Sequence, residues 1–193
     1  MRLAILDNGH GFGTKALFAF IGAVSRQRVL DIIKLVRYRA DFFGKPMGAV
    51  THEAMRGESA WSVADRELMA AVVAQTNECV FCRDSHAAVS VAASGDAGKV
   101  SAVLADLEAA NIDERLRATL RMLRRLAREH RVSADEMREV LDAGVTRAQI
   151  EDALAVSFAF NTVTRLAETF NFVVPSEDAM NAGAKFLLAR GYR

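Results

Sequence analysis

Only two prolines, Pro46 and Pro175, interrupt a chain of 193 residues. Proline removes a backbone donor and clashes with the preceding turn, so a chain nearly free of it can carry helical hydrogen bonding almost from end to end. Ala, Leu, Arg and Glu dominate, and aromatic residues make up 7% of the chain. That composition favours helix over strand and predicts an all-α protein. With 51% hydrophobic residues the chain is long enough for one substantial core and too short for two large domains.

Periodicity divides the chain into helices. Residues 14–44 read as two: Ala16 to Val24, then Val29 to Phe43 with Leu30, Ile33, Val36 and Ala40 at helical spacing, stopped by Gly44-Lys45-Pro46. A short helix from Met47 to Arg56 ends at Gly57, and Ser62 with Asp65 caps another from Val63 to about Thr76. Asn77 breaks the run, and a further helix continues to about Ala93 before Ser94-Gly95-Asp96-Ala97-Gly98. Lys99 to Ala110 and Asp113 to His130 follow, the second with Leu116, Leu120, Leu123 and Ala127 facing inward. Ser133-x-x-Glu136 and Thr146-x-x-Gln149 are capping boxes, with Gly144 placed to end the helix between them. Ile150 to Phe160 and Glu177 to Leu188 complete the pattern.

Twenty-five Lys and Arg balance 24 Asp and Glu for a formal net charge of +1, which offers no general attraction to nucleic acid or an acidic membrane. The arginines from Arg115 to Arg131 alternate with leucines beside Asp113, Glu114 and Glu129, the pattern of a solvated helix face. The apolar run Ala16 to Val24 is too short to span a bilayer and is followed by no convincing Ala-x-Ala cleavage site. A cytoplasmic protein is the expectation.

The two cysteines of the chain stand together in Cys79-Val80-Phe81-Cys82-Arg83-Asp84-Ser85-His86. On a helix this spacing sets Cys79, Cys82 and His86 along one stripe, with the imidazole one turn from the second sulfur. Two thiols three residues apart can close a disulfide, and a helix N-terminus or a neighbouring histidine favours a thiolate. A redox dithiol is the leading reading. Two buried small hydrophobes would be the plainer one. A zinc site would need a fourth ligand from Glu67 or water. Glu67 taken alone is explained by its place in the first turn of a helix. Trp61 suits a core or interface anchor, and Asn161 and Arg165 suit helix packing. His10, His52 and His130 have no partner pattern, with His52 beside Glu53 the one most open to a role.

Arg66-Glu67-Leu68 opening a helix, Cys79-x-x-Cys82 twelve residues beyond Glu67, and His86 together resemble the alkylhydroperoxidase AhpD and carboxymuconolactone decarboxylase superfamily, in its peroxidase-related branch. Gly144-Val145-Thr146, Gln149 to Ala153, Phe160-Asn161 and Arg165 to Ala167 resemble the later helices of that family. The resemblance divides a single domain, 1–193, into an N-terminal helical extension (1–45), an AhpD-like core (50–172) and a C-terminal helix (173–193). It implies an AhpD-like helical bundle assembled as a homo-oligomer, a trimer or hexamer. It also implies a peroxidase in which Cys82 attacks peroxide, Cys79 resolves the sulfenic acid, and His86 and Glu67 relay protons. No bound cofactor is implied. The reductant would be an external dithiol, by family analogy a lipoyl group on a carrier protein, and a peroxiredoxin is a further possible partner.

AhpD itself has a second relay histidine just before the peroxidatic cysteine, where this chain has Phe81. The decarboxylases generally lack the cysteine pair, so its presence here weighs against lactone decarboxylation. A non-catalytic redox or metal sensor using the same dithiol is the alternative of a different class.

Overall fold

A computed structural model describes residues 4–192. Among these residues there are eleven α-helices and no strand, as composition predicts. The helices are α1 (Ile5–Asn8), α2 (Phe12–Ser25), α3 (Asp31–Tyr38), α4 (Lys45–Arg56), α5 (Val63–Thr76), α6 (Val80–Ser94), α7 (Ala97–Ala105), α8 (Glu114–Glu129), α9 (Ala134–Asp142), α10 (Arg147–Phe170) and α11 (Glu177–Arg190), with a π-helical turn at Ala40–Gly44. No described helix is long and apolar enough to cross a membrane.

The fold is organised around α5. Every residue from Arg66 to Ala74 is buried, the pattern of a helix enclosed on all sides rather than one with a single apolar stripe. It packs most extensively against α6 and also meets α4, α7, α8 and α10. Its start is fixed by Ser62, whose hydroxyl accepts from the Asp65 amide at 3.0 Å. Trp61, just before it, is buried, and its indole N–H donates to the Gln149 carbonyl at 2.9 Å, tying α5 to α10. Arg66 is also buried, and its guanidinium donates to the carbonyls of Ala54 and Gly57 at 3.2 and 2.9 Å, closing the C-terminal end of α4.

Both expected capping boxes form, at Ser133 for α9 and at Thr146 for α10. Three expectations about the helices need correction. Gly44-Lys45-Pro46 does not stop a helix: the π-helical turn leads directly into α4, where Pro46 occupies the first turn and needs no amide partner. The helix after Gly98 ends at Ala105 rather than Ala110, because the Asp106 carboxylate accepts from the amides of Glu108 and Ala109 and turns the chain away. Residues on either side of Asn161 form one helix, α10. Its amide group donates to Ser157 within α10 and its carbonyl oxygen accepts from the Asn77 side chain at 3.0 Å, so Asn161 serves helix packing.

Candidate active site

The site is built where α5 turns back into α6. Glu78 takes a left-handed conformation, φ 57°, unusual for a residue with a Cβ. This reversal lets the Cys79 amide reach back to the Ala74 carbonyl at 2.9 Å and leaves Cys79 extended, as the N-cap of α6. The Asn77 side chain braces the turn by donating to Asn161 and Thr164 of α10, each at 3.0 Å. Cys79 therefore precedes the helix instead of lying on its stripe, a correction to the sequence expectation. Cys82 is in the first turn of α6 and His86 is one turn further on.

Both cysteines are buried free thiols. The Cys82 thiol titrates well above its ordinary range: its hydrogen bond with Cys79 contributes most, followed by burial and by the negative charges of ionised Cys79 and of Glu168 on α10. Cys82 is thus a thiol that needs a base to become nucleophilic.

His86 and Glu67 are both buried and in contact, with Nδ1 2.7 Å from Glu67 Oε2. The imidazole also packs edge-on against Phe160, ring centroids 4.2 Å apart. Burial alone would push the Glu67 carboxyl upward, but the hydrogen bond from His86 and the charges of His86 and Arg56 outweigh it and hold Glu67 below the usual carboxylate range. An anionic Glu67 accepting the Nδ1–H selects the tautomer in which Nε2 is the basic nitrogen. Of the four residues proposed from sequence, all buried, Glu67 is joined to His86 and Cys79 to Cys82, with Glu67 on α5, Cys82 and His86 on α6 and Cys79 at the N-cap of α6.

Sequence reasoning missed two further members. Arg56, at the end of α4, places Nη2 2.7 Å from Glu67 Oε1. Tyr192, beyond α11, donates its phenol to Glu67 at 2.9 Å from Oε1 and 3.1 Å from Oε2. Glu67 accordingly accepts from three side chains drawn from three other segments. Phe81, at the position of the second relay histidine in AhpD, is buried against Phe172 in an edge-on pair with centroids 5.2 Å apart. It is a packing residue. Among the described residues no three His, Cys, Asp or Glu side chains are gathered in an arrangement suited to a metal ion.

Residues 43–125, which include α4, α5, α6 and the cysteine pair, match the carboxymuconolactone decarboxylase family model. No curated protein matches the chain. Solved structures share its fold, two of them peroxidase-related proteins. An uncharacterized peroxidase-related protein from Silicibacter sp. TM1040 superposes with a TM-score of 0.72 at 22% identity, covering 87% of each chain. An uncharacterized peroxidase-related protein from Ralstonia eutropha JMP134, described as an alkylhydroperoxidase AhpD core, gives 0.73 at 17% identity over 92% of each chain. The family model thus covers the segment that carries the cysteine pair, and the solved structures share the all-helical fold around it. The later helices expected to resemble the family lie outside the matched segment.

Proposed function

We propose that the protein is a thiol-dependent peroxidase in which Cys82 attacks the peroxide and Cys79 resolves the product. The observation that carries this reading is the buried Glu67–His86 pair one helical turn from a Cys82 thiol that requires a base. His86 Nε2 takes the Cys82 proton as the thiolate attacks the terminal peroxide oxygen. The O–O bond breaks, Cys82 becomes a sulfenic acid, and the proton passes to the departing alkoxide to give the alcohol. The Cys79 thiol then displaces water from the sulfenic acid, closing the disulfide before further oxidation. Two electrons from an external dithiol return both cysteines to thiols by exchange. Burial of the pair favours a slender dithiol, for which a lipoyl group on a carrier protein is the proposed form, and a peroxiredoxin is a further proposed partner.

The protein is further proposed to act in the cytoplasm as a homo-oligomer, a trimer or hexamer, built from the single domain outlined above. Support for assembly comes from α2, which has no buried residue although it carries the longest apolar run of the N-terminal region. Phe12, Phe20 and Val24 are 89%, 65% and 68% exposed, large apolar side chains that a second copy of the chain would cover.

The reading is tested by mass analysis of the reduced, metal-free protein after one equivalent of tert-butyl hydroperoxide. The expected products are a Cys79–Cys82 disulfide in the wild type and a Cys82 sulfenic acid in Cys79→Ser, with no oxidation of Cys82→Ser on the same timescale. If both wild-type thiols stay reduced, the peroxidase reading fails and a non-catalytic sensor becomes the better account.

A further inference from the structure

Tyr192 is held from four directions at once. Gly191 before it has φ 68° and ψ −151°, a region open to glycine, and a Cβ there would meet the His52 ring at 2.6 Å. The Tyr192 amide donates to His52 Nδ1 at 3.2 Å. Its ring lies under the Arg56 guanidinium, 5.1 Å from the centroid, and is stacked 22° from parallel to the His86 imidazole with centroids 6.3 Å apart. The phenol ends on both oxygens of Glu67 and comes within 3.4 Å of His86 Nδ1. Two of these partners, His52 and Arg56, are on α4, and Arg56 also donates to the Leu187 carbonyl of α11 at 3.2 Å. Packing of α11 on α6 brings the segment to the site.

So many independent restraints on one phenol exceed what packing a helix end requires. We propose that Tyr192 is a positioning residue for the Glu67–His86 pair, fixing the carboxylate so that it receives the imidazole Nδ1–H and leaves Nε2 as the working nitrogen. Glu67 cannot swing toward another donor while the phenol and Arg56 occupy it. The charged and polar groups on the pair come from three segments besides α6: Glu67 from α5, Arg56 from α4 and Tyr192 from beyond α11. The inference deepens the peroxidase reading, on which only its rate measurement rests.

The test is NMR of the His86 ring nitrogens in the reduced full chain at neutral pH, for the wild type, Tyr192→Phe and Gly191→Ala. Tyr192→Phe keeps the ring stack and removes only the donor; Gly191→Ala keeps the phenol and misplaces it. The wild type is expected to carry its imidazole proton on Nδ1, and both variants to shift population toward the Nε2–H tautomer, because a carboxylate without the phenol is no longer held on Nδ1. Oxidation of Cys82 by hydroperoxide should slow in step. A tautomer ratio unchanged in folded Tyr192→Phe would overturn the proposal, whatever the oxidation rates. If the wild type is inert to hydroperoxide while the tautomer ratio still shifts, the peroxidase reading fails and the positioning role stands.

Discussion

Two apolar helices of this protein meet opposite fates. In α5 the run Leu68 to Ala74 is buried without exception, whereas in α2 no residue of a comparably apolar stretch is buried. The difference lies in what the rest of the chain brings to each. Four helices besides α6 close around α5, while the N-terminal region is fastened elsewhere, through Asp31. That buried carboxylate accepts from Arg28 at 2.6 Å and from the Val173 amide at 3.0 Å. Apolar composition therefore marks a surface that must be covered without saying which chain covers it. The polar contrast is equally sharp: the buried α5 carries the ionised Glu67, which a dry interior tolerates only with several donors in place.

The largest effect should come from removing that charge's partners or the charge itself. Glu67→Ala leaves Arg56, Tyr192 and His86 without their common acceptor inside the core, and is expected to cost about 3–5 kcal/mol in urea unfolding. A cost below about 1 kcal/mol would mean that the network is not what holds α4 and the Tyr192 segment to α5.

Acidification should act on the same group more gently. A carboxyl held below its ordinary range in the folded state contributes stability above the unfolded value near 4.5, which is lost as pH falls through the lower folded value. Urea midpoints measured from pH 7 downward should therefore decline below about pH 4.5 in the wild type, and more shallowly in Glu67→Gln.

Thr146→Ala removes one half of the capping box of α10 and should cost about 1 kcal/mol in the same assay with the thiol chemistry unchanged. Phe20→Asp on α2 should change monomer stability by no more than about 0.5 kcal/mol, since the side chain touches little of its own chain. Sedimentation velocity should nonetheless show smaller species than the wild type. Equal sedimentation of the two would contradict the view that a second copy covers α2.

The candidate site is legible in the sequence where it is local. Cys79, Cys82 and His86 lie within eight residues, and Glu67 is on the adjacent helix, so helical spacing and the family pattern reached all four. Arg56 and Tyr192 were not legible, because they arrive from α4 and from beyond α11, and an arginine ending one helix and a tyrosine after another carry no local mark of a shared carboxylate. Gly191 was the available clue: a glycine just past the last helical residue commonly introduces an apolar contact at the next position. The helix ends that differed, at Pro46 and Ala105, turn on competition between neighbouring donors and acceptors that periodicity does not register.

The central claim is that a buried imidazole, oriented by Glu67, serves as the base for Cys82. Its most direct test is the pH dependence of Cys79–Cys82 disulfide formation by tert-butyl hydroperoxide, followed in stopped flow for the wild type and His86→Gln. The account expects the variant to lose about 100-fold or more at neutral pH and to recover as hydroxide deprotonates the thiol directly. Superimposable profiles would show that Cys82 reacts without His86 and would contradict the account.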